Sequence, residues 1–405
     1  MTTRRILFWS HLIVGCLFGI FTAFMAGTGS IMSFQRLSFA WAERGIHVSP
    51  GAGHRALPIE DLVRRAQTAE NGPPPSITVS SDPSAPVTFH TGRFTVLYMD
   101  PYTGAALGHG SVGIRRFFAT VEGLHRWFGA YGKLRQPARS FKAAVNLGLL
   151  FLLVTGFMLW LPKTFSRKYL RPIVWPRRGL KSKAKNWNWH NSVGIWCLLP
   201  LSIMVLTGAV LSYEWANNLL FRATGNLPSP PDHVFNRAGA TRVLRGSTRW
   251  EPLMARAKSQ VREWRTITMD IPDDPDEAAS TAIVGFTIDV GNGVEVNKQS
   301  RLVLREATGD VVEWTPFASE NLGQQLRALA RWTHTGESAG IAGQTTALCA
   351  SLGMLLLVWT GFSLVVNRLN SWKGRSRRPA QQQTSGALRM PARSEEKQLV
   401  ASRGE

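Results

Sequence analysis

HLIVGCLFGIFTAFMAGTGSIMSF (residues 11–34) and HNSVGIWCLLPLSIMVLTGAVLSY (residues 190–213) are the two stretches whose comparison decides the fold. They align without a gap. His11-Leu-Ile-Val14-Gly15 matches His190-Asn-Ser-Val193-Gly194, and a Thr-Gly begins seventeen positions after each histidine, at Thr28-Gly29 and Thr207-Gly208. Ser33-Phe34 then matches Ser212-Tyr213. Neither stretch contains Asp, Glu, Lys or Arg, and each reaches the roughly 20 residues an α-helix needs to cross a hydrocarbon core. At about 1.5 Å of rise per residue, the histidine and the Thr-Gly of one copy stand near opposite faces of that core.

Working outward, charge-free apolar runs of spanning length occur at Ile6–Phe34, Ala143–Leu161, Val193–Tyr213 and Thr345–Val366. The second and fourth also resemble each other. Val154-Thr155-Gly156-Phe157 matches Trp359-Thr360-Gly361-Phe362, and each threonine follows a histidine, His125 by thirty positions and His334 by twenty-six. The expected plan is therefore two parallel halves, each running histidine, span, long connection, second histidine, span.

The mean hydropathy of −0.06 averages over these apolar blocks and polar remainders. The net charge of +21 raises nucleic acid as a partner, but the basic residues sit beside the spans rather than on an aromatic-interleaved surface. Arg4 and Arg5 precede the first span, Lys163 to Lys185 holds nine Lys or Arg and no acid, and Arg368 to Arg378 holds five and no acid. The positive-inside tendency puts these segments in the cytoplasm. Both termini are then cytoplasmic, and the two long connections lie outside. The first span is too long for a cleaved leader, and no small-x-small site ends it.

Cys16, Cys197 and Cys349 all fall within spans. No disulfide framework or zinc site is expected, and no Cys-x-x-Cys-His is present to attach a haem through thioether links. The connections read as small α+β modules. The first has a helix at Pro58–Glu70, strands at Ser76–Ser80, Pro86–His90 and Phe94–Met99, and a turn at Asp100-Pro-Tyr-Thr103-Gly104. The second has a helical stretch at Trp250–Trp264, strands near Ile283–Val290 and Ser300–Glu306, and a matching turn at Ala307-Thr308-Gly309. Trp160, Trp187, Trp189, Trp215 and Trp332 read as an interfacial belt.

Taken together, the Asp100-Pro101-Tyr102-Thr103-Gly104 turn, Leu124-His125-Arg126, the spans with His before Thr-Gly and the Trp160-Leu161-Pro162 end make the chain resemble the PepSY-associated transmembrane helix family, from about residue 4 to 370. That resemblance implies a four-span bacterial inner-membrane protein with two large periplasmic loops carrying PepSY-type modules. Such proteins are associated with iron uptake, and some are haem-containing ferric-siderophore reductases. The family's motif histidines fall on His11, His125, His190 and His334. Some relatives carry a flavodoxin-like or flavin-reductase domain. Here only a basic, Gln-rich tail follows the fourth span, and no Gly-x-Gly-x-x-Gly follows a strand, so the electron donor would be separate, a quinol or a cytoplasmic reductase.

The expected fold is thus an integral membrane all-α bundle of four transmembrane helices in two parallel repeats, with two small α+β PepSY-like periplasmic modules. Its parts are helix 1 at 1–36, the first module at 37–118, the His125 segment with helix 2 at 119–163, a basic cytoplasmic loop at 164–186 and helix 3 at 187–216. The second module covers 217–325, the His334 segment with helix 4 covers 326–368, and a basic, disordered tail covers 369–405.

Singly, a histidine at a span end is an ordinary interfacial residue; in a repeat it is a ligand candidate. Haem iron takes neutral imidazole, and a low-spin site needs two, supplied by facing helices of a bundle. His11 and His190 share the cytoplasmic face, while His125 and His334 share the outer one. The expectation is one or two b-type haems with these four residues as axial ligands, carrying electrons outward to a ferric siderophore or another ferric chelate. The alternative is a cofactor-free protein whose PepSY modules bind or regulate periplasmic partners. Transport ranks last, since no pair of broken, Gly/Pro-interrupted helices marks a substrate site. Gly15, Gly19, Gly27, Gly29, Gly194 and Gly208 serve either macrocycle approach or close helix packing. His47, His54, His90, His109 and His233 lack repeat partners and are left unassigned.

Overall fold

The computed structural model describes residues 2–51, 55–72, 74–92, 94–162, 166–228, 250–271, 283–291, 293 and 295–376. In chain order the first half runs α1 (Thr3–Met32), α2 (Gln35–Ala42), α3 (Ile59–Glu70), β1 (Ser76–Ser80), β2 (Val87–His90), β3 (Val96–Met99), β4 (Ala106–Gly108), α4 (Val112–Trp127) and α5 (Arg135–Trp160). After α6 (Arg167–Val174), the second half runs α7 (Ser182–Ser212), α8 (Glu214–Ala223), α9 (Trp250–Gln260), β5 (Thr266–Asp270), β6 (Ile283–Asp289), β7 (Gln299–Arg305), β8 (Val311–Pro316), α10 (Leu322–His334) and α11 (Gly340–Ser376).

Four helical stretches are long and apolar enough to cross a membrane: Thr3–Ala42, Gly132–Trp160, Ser182–Ser212 and Glu337–Trp372. Each contains most or all of one expected span. Helices α1 and α7 each pack against both α5 and α11. Leu153, Leu201, Val205, Ala350 and Met354 form the buried centre. Much of the outer surface is apolar, with Ile13, Leu17, Ile20, Leu199 and Trp359 all exposed, as lipid contact requires. The three cysteines lie in α1, α7 and α11, and none is disulfide-bonded.

The strands of the two connections form one antiparallel sheet, in the order β4-β3-β2-β1-β5-β6-β7-β8. The two modules expected from the sequence therefore share a single sheet, joined where β1 pairs with β5 and Ile77 faces Met269. Side chains alternate across a strand, which puts Ile77, Phe89, Ile267, Met269, Phe286, Ile288, Leu302 and Leu304 into one core with Leu62 and Val63 of α3 and Met254 and Ala257 of α9. Burying each large apolar side chain stabilises by about 1.5–3 kcal/mol. The two helices also cap each other. The Ile59 amide donates to Glu251 Oε2 at 3.0 Å, and the Glu251 amide donates to Glu60 Oε1 at 2.9 Å, placing carboxylates at two positive helix ends.

Further elements depart from the sequence reading. The helix expected at Trp250–Trp264 ends at Gln260, and β5 follows with Ile267 and Met269 inward. Strands β4 and β8 border the sheet, too short or too exposed to show an alternation. Residues 369–376 of the expected tail continue α11, whereas 377–405 lie outside the described residues.

Candidate paired-histidine sites

None of the four candidate histidines acts alone. His11 of α1 places Nδ1 2.9 Å from Thr155 Oγ1 of α5, and His190 of α7 places Nδ1 3.0 Å from Thr360 Oγ1 of α11. At the other end, His125 Nδ1 is 2.9 Å from Thr28 Oγ1 of α1, and His334 Nδ1 is 3.1 Å from Thr207 Oγ1 of α7. Every Thr-Gly of the repeat thus receives one histidine from another helix. The threonines were the part of the site that the sequence reading passed over, although the motif was visible.

The glycine after each threonine makes room for the ring. A Cβ at Gly156 would stand 3.2 Å from His11 Cε1, at Gly208 3.1 Å from His334 Cε1, at Gly29 3.5 Å from His125 Cε1 and at Gly361 3.5 Å from His190 Cε1. Gly19 instead faces Phe362 at 3.1 Å, Gly15 faces Leu152, Gly194 faces Leu357, and a Cβ at Gly27 would meet nothing within 4 Å. Helix packing thus accounts for Gly15, Gly19 and Gly194, while Gly29 and Gly208 seat imidazoles.

The hydrogen bonds fix the tautomer. Each threonine hydroxyl lies 2.7–2.9 Å from a backbone carbonyl one turn back, at Phe151, Phe24, Leu356 or Ile203. A hydroxyl has one proton and two acceptor sites, so with the proton on the carbonyl its oxygen accepts from the imidazole. The Met204 carbonyl also accepts from His334 Nδ1 at 2.9 Å. Nδ1 carries the proton, and the lone pair is on Nε2. Among the described residues, no hydrogen bond engages Nε2 of these four histidines.

Helices α4 and α10 position the second pair. Each ends at or just after its histidine. Phe128 adopts φ +50° and Gly129 +75° after α4, and Gly336 adopts +79° after α10, turning the chain into α5 and α11. The asparagine–glutamine capping box of Asn321 and Gln324 starts α10. Arg36 of α2 holds that region. It bonds the Gly293 carbonyl, approaches Glu337 at 3.9 Å and lies 4.8 Å from the Trp332 ring centre.

A partly buried ion pair between Arg115 and Glu43 ties α4 to the end of α2, and Tyr98 of β3 joins it. Arg115 grips both oxygens of Glu43 at 2.6 Å, while Tyr98 Oη donates at 2.8 Å and the Ser111 amide at 3.0 Å. Burial alone would raise the Glu43 carboxyl, but the Arg115, Ser111 and Tyr98 hydrogen bonds outweigh it and hold it below the usual range. Burial, then the adjacent Glu43, push the Tyr98 phenol up to about 12. Beside them a cleft of about 330 Å³ is lined by Glu43, Thr78, Ser80, Thr88 and Tyr98.

The donor set suits haem. His11 and His190 ring centres are 6.5 Å apart and perpendicular. Two imidazole nitrogens on opposite sides of one metal ion, each about 2 Å from it and about 1 Å from its ring centre, would put the rings about 6 Å apart. Among the described residues there is no cluster of three or more His, Cys, Asp or Glu suited to a bare metal ion. Trp189, next to His190, has a buried Nε1 with no acceptor. Of the unassigned histidines, His90 bonds Thr78, and burial lowers its pKa. His109 approaches Glu70 at 3.5 Å, and His54 and His233 lie outside the described residues.

The family model described as PepSY-associated TM region matches residues 8–368. No curated protein matches the chain.

Proposed function

The chain belongs to the PepSY-associated transmembrane family, and on that premise we propose that it is a b-haem electron-transfer protein of the bacterial inner membrane that reduces a periplasmic ferric chelate, such as a ferric siderophore. The observation that carries this reading is the pair of perpendicular imidazoles 6.5 Å apart, each with Nδ1 bonded to a threonine and Nε2 left for iron. His11 and His190 would hold one haem, and His125 and His334 a second. When bound, haem supplies reversible one-electron transfer, with a potential set by its ligands and their hydrogen bonds.

The remaining work belongs to the chain. Thr155, Thr360, Thr28 and Thr207 keep each imidazole in one tautomer and one orientation, as outer-shell partners of metal-bound histidine do. Along α1, His11 and Thr28 are separated by seventeen positions, about 25 Å at 1.5 Å per residue, so the two pairs sit at opposite ends of the bundle. Basic residues flanking the far end support a cytoplasmic location for it. The donor would be a quinol or a cytoplasmic reductase, and the sheet side would meet the chelate as PepSY-type periplasmic modules.

A visible spectrum of the purified, dithionite-reduced protein separates this reading from a cofactor-free regulator of periplasmic partners. Bis-imidazole haem bands are expected, with stopped-flow reoxidation by a ferric chelate under anaerobic conditions. A colourless protein purified from haem-replete cells overturns the proposal.

A further inference from the structure

Lys142 is a half-buried charged side chain at the sheet-side start of the apolar run of α5. It belongs to α5, within the span Gly132–Trp160, one turn before Asn146 and on the same helix face. Asn146 donates to the Val205 carbonyl of α7 at 3.1 Å. Its Oδ1 lies 3.4 Å from the Cβ position of Gly208, whose other neighbour there is the His334 ring. The charge of Lys142 is felt by both His125 and His334. Lys142 therefore stands over the sheet-side histidine pair.

Among the described residues nothing balances that charge. Among the described residues Lys142 makes no hydrogen bond or ion pair, and the charges that bear on it are Arg126 and Arg139, both positive. Arg126 is already paired with Glu122 at 2.8 Å. A charge drawn partly out of water is costly unless it is paired, and a carboxylate is a strong partner for an ammonium group.

We infer that Lys142 is the counter-ion of a haem propionate at the His125–His334 site. This rests on the haem reading proposed above and adds to it the residue that anchors the sheet-side group and sets its potential. A propionate fits better than a carboxylate of the chelate. It is delivered to this position by the same group the histidines hold, beside the buried Ala143. Removing the ammonium group leaves the carboxylate uncompensated, which favours the more positive ferric state and lowers the reduction potential.

The test is a spectroelectrochemical titration of the full-length protein in detergent, with haem content measured alongside. Wild type is compared with Lys142→Met, Lys142→Arg and His125→Ala, the last identifying the sheet-side component. The expected result is a shift of that component to lower potential in Lys142→Met, no shift of the other component, and near wild-type behaviour in Lys142→Arg. Loss of the sheet-side haem from Lys142→Met but not from Lys142→Arg supports the same conclusion. An unshifted potential with full haem content in Lys142→Met overturns the inference and leaves the haem reading standing, as does equal loss from both lysine variants. A raised KM for the chelate with unchanged potentials would place the carboxylate on the substrate and also overturn it. A wild-type protein without haem overturns the function proposed above instead.

Discussion

His11 donates Nδ1–H to Thr155 Oγ1 at 2.9 Å, and Gly156, the residue after that threonine, lies against the same imidazole at Cε1. One dipeptide therefore both orients the ring and makes space for it. The arrangement recurs at His190 with Thr360-Gly361, at His125 with Thr28-Gly29 and at His334 with Thr207-Gly208.

If the histidines pair as proposed, His11→Ala and His190→Ala should each remove or convert the same spectral component, and His125→Ala and His334→Ala should act together on another. The double variant within a pair should add little to either single one, because both damage one site. Redox-resolved visible spectra of the purified variants check this. Grouping of His11 with His334 would refute the pairing.

Thr155→Val keeps the side-chain volume and removes the acceptor for His11. Loss of an outer-shell partner typically weakens metal-site affinity about 10–100-fold, so the component assigned to His11 should release haem faster to apomyoglobin. Thr155→Ser should retain it. Equal retention in Thr155→Val and wild type would show that the hydroxyl does not orient the ligand.

At Gly208 the added Cβ of alanine would be 3.1 Å from His334 Cε1 and 3.4 Å from Asn146 Oδ1. Gly208→Val should displace the ring further than Gly208→Ala, at a cost of about 1–3 kcal/mol for overpacking. The expected readout is a graded change confined to the component that responds to His334→Ala.

Glu43→Gln would leave Arg115 without its carboxylate in a site where the two side chains are 8% and 12% exposed. Leaving Arg115 unsatisfied in this partly buried site costs about 1–3 kcal/mol. Thermal unfolding at neutral pH should therefore be clearly earlier in the variant. The folded pKa of Glu43 is depressed, so its contribution is present above the ordinary glutamate range and is lost as pH falls through the folded value. The gap between wild type and variant should accordingly narrow in acid.

For the orientation, cysteine labelling of a Cys-free background discriminates. Ser81→Cys, exposed beside β1, should react with an impermeant maleimide in intact spheroplasts. Lys181→Cys, in the basic connection before α7, should react only after permeabilisation. The opposite pattern would invert the proposed topology.

The sequence by itself marked the four membrane-crossing helices, because these depend on local apolarity along one chain, while the parallel repeat and the equivalence of His11 with His190 are expectations from spacing. It also marked most of the strands, where Ile77-Thr-Val79 or Val87-Thr-Phe89 alternate inward and outward. Only the tertiary structure decided that the two connections build one sheet, since pairing of β1 with β5 joins residues almost two hundred positions apart. It alone showed which threonine each histidine meets. Thr28 lies in the same span as His11 yet bonds His125, while His11 bonds Thr155. The reason is helix geometry. Seventeen residues of rise carry the threonine to the far end of its own helix, so its histidine has to come from another helix docked at that end.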